Sequence, residues 1–241
     1  MNATLNNRDV VIIGGTSGIG LAVAKLVAEQ GANITIAGRS PERLTKAARE
    51  IGGNVQTGVI DTLNENSIKE FFANRNHIDH LLNFSGDSMG GGVLDADIPT
   101  ARNAMESKFW GQFYIGRYGG VKIKPNGSLT FTGGSGPRPH QAITTVAANS
   151  ALVVLVEALA KELAPVRVNA ISPYYVNTPM WSGMVDKERQ ELFNRVGEQL
   201  PIGRVAEIKD IAPAYLDIIQ STYMTGNNIP INGGALLQAI N

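Results

Sequence analysis

Short apolar runs alternate along the chain with longer segments in which apolar residues recur every three or four positions. The first run, 10–13, leads through a glycine-rich turn into a helical pattern that begins near Leu21. Continuous runs of β-branched residues are typical of strands buried on both faces of a parallel sheet, and a 3.6-residue period is typical of the covering helices. The pattern predicts an α/β fold. Further strands are predicted at 33–37, 54–60, 78–84, 128–132, 166–171 and 228–231, and further helices after Pro41 and at 64–74, 100–118, 144–164 and 206–220.

The turn after the first predicted strand is rich in glycine. A side chain in such a turn would keep a phosphate away from the backbone N–H groups and from the positive end of the helix dipole. The turn therefore predicts a nucleotide phosphate as ligand, although glycine-rich turns that bind nothing also occur. The expected phosphate contacts are Gly14, Thr16, Ser17, Gly18, Ile19 and Gly20.

The second predicted strand is followed by Gly38, Arg39 and Ser40. At this position an acidic residue would bond the ribose 2′-hydroxyl of a dinucleotide, whereas an arginine can pair with a 2′-phosphate. Arg39 and Ser40 therefore predict NADP(H) rather than NAD as the cofactor. The alternative is that Arg39 is a surface arginine without a ligand.

Composition narrows the classes of partner. The chain has 241 residues with 21 basic and 21 acidic side chains, which suits a single domain and gives no electrostatic footprint for nucleic acid or an anionic membrane. A small molecule is the expected partner.

The absence of cysteine excludes disulfides and thiolate metal sites, and no third ligand accompanies His77 and His80, so we expect no metal. The polar segment 1–9 does not resemble a signal peptide, and a cytoplasmic location is expected.

Two segments predict features beyond the sheet. The helix at 144–164 is apolar on more than one face, which indicates that a second subunit covers it. We expect a homodimer or homotetramer through the helices at 100–118 and 144–164. The long segment 174–203, which contains Met180 and Trp181, is the predicted lid over a substrate.

Several dispersed motifs, taken together, resemble the short-chain dehydrogenase/reductase family over nearly the whole chain. Residues 13–20 are similar to its Thr-Gly-x-x-x-Gly-Ile-Gly turn, with Ile13 in place of the threonine, and 83–86 are similar to its Asn-Asn-Ala-Gly signature. Residues 168–173, 223–226 and 232–234 match later landmarks. The resemblance implies one domain with a Rossmann-type, doubly wound, seven-stranded parallel sheet in three layers, and a bound dinucleotide.

The resemblance also implies cofactor contacts outside the glycine turn. Asp61 looks like the adenine-contacting aspartate of the family. The positions near the nicotinamide and pyrophosphate are Asn83, Ser85, Gly86, Pro173, Val176 and Thr178.

The catalytic residues of the family are replaced. Its Tyr-x-x-x-Lys pair falls on Thr145 and Asn149, Lys108 stands in the asparagine slot, and the serine slot falls among residues 133–135, so that only Ser135 preserves it. Threonine lacks the acidity of tyrosine, and losing general acid–base assistance costs about 10²- to 10⁴-fold in rate. We expect Lys108 to stabilise negative charge on a substrate oxygen while Ser135 donates a second hydrogen bond. Other available proton donors are His140, Tyr174 and Tyr175.

Three functions remain open from the sequence. The first is an NADP-dependent oxidoreductase that transfers a hydride to or from a small carbonyl, enone or imine compound. The second is a catalytically inactive, NADP-binding regulatory pseudoenzyme. The third is a non-redox lyase or isomerase on the same fold, because a fold does not fix a chemistry.

Overall fold

The computed structural model describes residues 5–75, 77–86, 90–136 and 138–240, without the side chains of 238–240. Strands and helices alternate along most of the chain. In order they are β1 (Asp9–Ile13), α1 (Gly18–Glu29), β2 (Asn33–Gly38), α2 (Pro41–Ile51), β3 (Gln56–Val59), α3 (Glu65–Ala73), β4 (Ile78–Asn83), α4 (Ile98–Met105), a π-helical turn (Glu106–Trp110), α5 (Gly111–Gly119), β5 (Ile123–Thr132), α6 (Ile143–Glu162), β6 (Arg167–Pro173), β7 (Val176–Asn177), α7 (Asp186–Glu198), β8 (Ala206–Glu207), α8 (Ile208–Gln220) and β9 (Asn227–Ile231).

Seven of the strands form one parallel sheet in the order β3-β2-β1-β4-β5-β6-β9. The strand order reverses between β1 and β4, which are hydrogen-bonded neighbours although two strands separate them in sequence. In such a sheet a crevice opens beyond the carboxyl ends of the strands at this switch point. The prediction of a doubly wound, seven-stranded parallel sheet is confirmed.

Helices cover both faces of the sheet, because alternate residues of each buried strand point to opposite sides. On one face, Val11 and Ile13 of β1 join a core formed with α3, α5 and α6. On the other face, Val10 and Ile12 join a core formed with α1, α2 and α8. The predicted three layers and single domain are therefore confirmed.

One predicted helix differs from the structure. The segment 100–118 is not a continuous α-helix: α4 ends at Met105, and a π-helical turn precedes α5. The side chain of Gln112 donates a hydrogen bond to the carbonyl oxygen of Lys108 at 2.6 Å. Hydrophobic periodicity does not reveal such a turn, because one inserted backbone position barely changes which residues are apolar.

The segment 174–203 is more ordered than its sequence pattern indicates. It contains α7 and the short strand β7, which pairs with β8 apart from the main sheet. Hydrophobic periodicity did not predict α7, because few of its residues are buried and most of its positions are polar.

Helix α6 is the one helix in the described part of the chain that is long and apolar enough to cross a membrane. It packs against the sheet and buries one face in the core. The buried residues are Thr145, Ala148, Leu152, Leu155, Val156 and Leu159. Burial of this face in the core accounts for part of its apolar composition.

Candidate functional site

A cleft of about 1360 Å³ lies at the carboxyl ends of the central strands. The glycine turn after β1 and the segment 174–203 both contribute to its walls. Thr132 at the end of β5 and Pro173 at the end of β6 line the floor between them. The topology thus places this large cleft at the switch point of the sheet, where ligands of such folds bind.

The glycine turn brings the end of β1 and the start of α1 into close contact. Gly14 and Gly18 have positive φ angles of 81° and 57°, which disfavour other residues. A Cβ atom on Gly20 would overlap the carbonyl oxygen of Gly14. The backbone N–H groups at the start of α1 therefore face the cleft without intervening side chains, as a phosphate requires. The predicted contacts from Thr16 to Gly20 line the cleft together with Gly14.

Two arginines stand beside this turn. Arg39 follows β2, and Arg43 lies in the first turn of α2; both line the cleft and are exposed. The Arg43 guanidinium donates to the hydroxyl oxygen of Ser17 at 3.2 Å, and the Ser40 hydroxyl caps α2 by accepting from the Arg43 N–H at 3.3 Å. The sequence prediction included Arg39 and Ser40 but missed Arg43. Its place in the first turn after Ser40-Pro41 was the available signal.

Asp61 and Asn83 support the cleft without lining it. Asn83 is fully buried, and its side-chain oxygen accepts from the Ser85 N–H at 3.1 Å and from the Ser85 hydroxyl at 2.6 Å. Ser85 and Gly86 line the cleft. The Asp61 carboxylate accepts from the N–H of Leu63, a cleft residue, at 3.1 Å. A direct contact between Asp61 or Asn83 and the cofactor therefore stays a prediction.

Val176 and Thr178 line the cleft opposite the glycine turn. The Cβ atom of Thr178 lies 3.7 Å from the position that a Cβ on Gly18 would occupy. Residues far apart in sequence thus enclose the place predicted for the pyrophosphate.

Thr145 and Asn149 line the cleft one turn apart on α6. Both polar atoms of the Asn149 amide are buried and have no hydrogen-bond partner among the described residues. A buried amide without partners is costly, so this side chain is expected to meet a ligand. Since an amide both donates and accepts, it matches the hydroxyl groups of a ribose.

The loop after β5 places glycines where the sequence prediction placed a serine. Gly133, Gly134 and Gly136 line the cleft, whereas the Ser135 hydroxyl donates to the carbonyl oxygen of Ser172 at 2.7 Å and does not face the cleft. A Cβ on Gly134 would lie 2.9 Å from the amide nitrogen of Asn149. A contact between Ser135 and substrate stays a prediction, and it would need a different orientation of the Ser135 hydroxyl.

Lys108 lies in the π-helical turn and lines the cleft with only 6% of its surface exposed. Its stem packs on Gly86, where an added Cβ would lie 3.3 Å from the Lys108 Cγ. The carbonyl oxygen of Lys108 accepts the hydrogen bond from the Gln112 side chain. Contacts with two separate elements thus position the backbone and the stem of Lys108 in the cleft wall.

Aromatic side chains hold the segment 174–203 against the cleft. Tyr175 stacks on Trp181 at 5.3 Å, the Trp181 indole donates to the carbonyl oxygen of Val176 at 3.0 Å, and Phe193 of α7 meets Trp181 edge-on. Burial, with a smaller effect from Tyr175, raises the pKa of Tyr174. Tyr174 is therefore a neutral phenol at neutral pH and can donate a hydrogen bond into the cleft.

The histidines lie away from the cleft lining. His140 is exposed, and His80 is buried at the opposite end of the sheet, where its Nδ1 lies 2.8 Å from the Ser128 hydroxyl. Burial, reinforced by Arg167, lowers the pKa of His80 to about 4, so its ring is neutral at pH 7. Among the described residues, no three or more histidine, aspartate or glutamate side chains converge on a metal position.

Comparison with known proteins identifies the family. The sequence model of a family described as enoyl-(acyl carrier protein) reductase matches residues 14–235. The short-chain dehydrogenase/reductase ATR9 of Stachybotrys chlorohalonatus is 30% identical over 98% of this chain and 99% of its own length. The chain belongs to the short-chain dehydrogenase/reductase family.

Two further relatives bear on the cofactor. An NADP-dependent mannitol dehydrogenase of Aureobasidium melanogenum is 30% identical over 93% of this chain and 91% of its own. The crystal structure of a small-chain dehydrogenase in complex with NADPH is 33% identical, with a TM-score of 0.79 over 96% of this chain and 100% of the other. These short-chain dehydrogenase/reductase relatives are oxidoreductases that share the complete domain.

The described residues of this family member fit a dinucleotide. The glycine turn exposes backbone N–H groups, Arg39 and Arg43 offer positive charge beside it, and Asn149 presents an unpartnered amide further along the cleft. These features would form a cradle suited to a bound dinucleotide phosphate.

Replacing Gly20 with alanine tests this cradle. Because the added methyl would overlap the Gly14 carbonyl oxygen, α1 must move away from the turn, and we expect calorimetry to show NADPH binding weakened at least about 10-fold. Gly183→Ala is the matched control, since an added Cβ there meets nothing within 4 Å. Equal NADPH affinities in both variants would contradict the close approach at Gly20.

Proposed function

We propose that this protein is an NADP(H)-dependent oxidoreductase that transfers a hydride to or from a small carbonyl, enone or imine compound. The observation that carries the proposal is one continuous cleft with Arg39 and Arg43 at its nucleotide end and Lys108 at its other end. A dinucleotide bound between these ends would bring its reactive ring to Lys108 and Thr145. We also propose that the segment 174–203 is a lid and that the protein acts in the cytoplasm.

The preference for NADP(H) rests on charge at the nucleotide end. Arg39, Arg43, Ser17 and Ser40 all line this end of the cleft, and the Arg43 guanidinium contacts the Ser17 hydroxyl. Arginine pairs well with phosphate, and the hydroxyls add donors. The NADPH complex of one relative and the NADP dependence of another support the same cofactor.

NADPH bound in this cleft would supply the hydride of the proposed reaction and would be oxidised to NADP⁺. The Lys108 ammonium donates a hydrogen bond to the substrate oxygen, whose negative charge grows as the carbonyl or enone accepts the hydride. Nζ then gives up the proton that neutralises this oxygen and regains one from solvent. Tyr174 donates a second hydrogen bond, and Asn149 orients the ribose. The aromatic side chains of the lid exclude water.

Substitution of each arginine tests whether the protein distinguishes NADPH from NADH. We expect Arg39→Ala and Arg43→Ala each to raise the Kd for NADPH about 10-fold, because each loses a charge-assisted contact with the 2′-phosphate. The Kd for NADH, which lacks that phosphate, should not change. Arg49→Ala, in the last turn of α2, is the control. Parallel weakening of both cofactors would refute the assignment of this pair to the 2′-phosphate.

A regulatory pseudoenzyme is the second candidate. By the resemblance, Thr145 and Asn149 stand at the positions of the family's catalytic tyrosine and lysine, and its serine position falls among residues 133–135. A glycine turn that binds phosphate, combined with the loss of the usual catalytic side chains, would suit a protein in which cofactor binding controls oligomer assembly. Turnover distinguishes this candidate from the oxidoreductase.

Lys108→Met provides the decisive comparison. If Lys108 stabilises the substrate oxygen, the variant should lose about 10²- to 10³-fold in kcat/KM for NADPH-dependent reduction of a conjugated enone, while its NADPH affinity stays the same. Lys161→Met, in the last turn of α6, should retain full activity. If the wild-type protein consumes no NADPH with any ketone, enone or imine yet is stabilised by NADPH against heat, the pseudoenzyme candidate is correct.

We further propose that the protein is a homodimer or homotetramer through the predicted helices at 100–118 and 144–164. Val154, on α6, has 64% of its surface exposed, and Trp110, before α5, has 39%. Trp110 also packs with Phe113 and Tyr114 in an aromatic cluster beside α6. Helix α6 thus buries one face in the core and carries exposed apolar surface elsewhere, which a second subunit could cover.

A charge on this surface tests the assembly. We expect Val154→Glu to shift the sedimentation of the protein to that of a smaller species, because the carboxylate would be buried between subunits without a partner. Val121→Glu, at a site 68% exposed outside these helices, should leave the assembly intact. Unchanged sedimentation of the Val154 variant would place any interface elsewhere.

A further inference from the structure

The charges that line the cleft are all of one sign among the described residues. The whole chain has 21 basic and 21 acidic residues, yet the described lining contains no aspartate or glutamate. Its cationic side chains are Arg39, Arg43, Lys108 and Arg195. Arg39 and Arg43 are explained by the cofactor, and Lys108 by the reacting oxygen. The proposed function leaves Arg195 without a role.

Arg195 belongs to the face of α7 that is turned toward the cleft. The lining residues of this region, Leu192, Arg195, Val196 and Gln199, are spaced three and four positions apart, which places them on one helical face. The acidic residues of α7, Asp186, Glu188, Glu191 and Glu198, do not line the cleft. The lid helix thus directs one positive charge inward and keeps its negative charges elsewhere.

Arg195 makes no ion pair on its own helix, although partners lie at the right spacing. Glu191 is four residues before it and Glu198 three residues after it, both within ordinary reach on a helix. Instead, Glu191 lies 3.9 Å from Lys187, and Arg189 pairs with Asp186 at 2.9 Å. Among the described residues, the Arg195 guanidinium has no hydrogen bond or ion pair, so it remains available to a ligand in the cleft.

An arginine in this position is suited to a carboxylate. The planar guanidinium matches the two oxygens of a carboxylate and binds them with parallel hydrogen bonds. Gln199 offers a further donor on the same face, and Met180 and Trp181 supply apolar surface nearby. A cationic substrate such as an iminium ion would meet no opposite charge among the described lining residues.

We propose that the substrate is a conjugated carbonyl compound with a carboxylate remote from the reacting oxygen, and that Arg195 binds this carboxylate. The inference rests on the proposed function, because it places the reacting oxygen at Lys108. Arg195 is then the residue of the lid that selects the substrate, while Lys108 acts on the chemistry. Substitution of Arg195 should therefore change substrate binding, whereas substitution of Lys108 should change turnover.

The test uses 3-benzoylacrylate and its neutral amide, which share the conjugated ketone and differ in the charge at the far end. Calorimetry gives the Kd of each probe for the NADP⁺-loaded protein, and NADPH consumption gives kcat and KM. We expect the wild-type protein to bind the acid at least about 10-fold more tightly than the amide, as one charge-assisted contact allows. Arg195→Gln should remove this preference and raise KM for the acid with little change in kcat.

Two further variants complete the design. Arg189→Gln, on the same helix but paired with Asp186, should keep the preference for the acid, and Arg195→Lys should restore part of it. Thermal stabilisation by NADPH shows that each variant is folded. A preference that is absent in the wild-type protein, unchanged in Arg195→Gln, or lost equally in Arg189→Gln would overturn the inference, as would failure of both probes to bind.

These outcomes are distinct from failure of the proposed function. If the acid binds in an Arg195-dependent manner but NADPH is not consumed, carboxylate recognition is supported and the oxidoreductase proposal fails for this class of acceptor. If both probes are reduced at rates that do not depend on Arg195, the oxidoreductase proposal stands and the carboxylate inference is wrong.

Discussion

The close approach of α1 to the end of β1 is the constraint on which the rest of the site depends. Gly20 lies directly against the carbonyl oxygen of Gly14, and no side chain fits between them. This contact fixes the first turn of α1 at the switch point of the sheet, so that its N–H groups open into the cleft. Across the cleft, Thr178 would be in van der Waals contact with a side chain at Gly18, which leaves little room for one.

The side chains at the predicted catalytic positions pack closely against neighbouring glycines. The Asn149 amide occupies space beside Gly134 that a side chain on that glycine would contest, and Lys108 packs its stem on Gly86. The π-helical turn that contains Lys108 is completed by the hydrogen bond from Gln112. A larger side chain at Gly134 or Gly86 would therefore disturb these neighbours.

The charged side chains among the described cleft residues are all positive, although the whole chain has equal numbers of acidic and basic residues. Acidic residues are as numerous as basic ones, but on α7 they occupy faces away from the cleft, and Asp210 pairs with Arg204 outside it. Positive groups at both ends of a partly enclosed cleft raise the local attraction for anions. The cofactor phosphates account for one end of this field, and a charged substrate would account for the other.

The sequence by itself determined the α/β architecture, the glycine turn and the place of Arg39, because each depends on local patterns: β-branched runs, helical periodicity and residues directly after a strand. The tertiary structure decided what depends on side-chain direction and on contacts between distant segments. Ser135 follows β5 as predicted, yet its hydroxyl turns to Ser172, while Arg195 reaches the cleft from a helix whose polar pattern gave no sign of a ligand. Position along the chain limits which residues can approach a site, but packing across the sheet and around the cleft fixes which of their atoms face it.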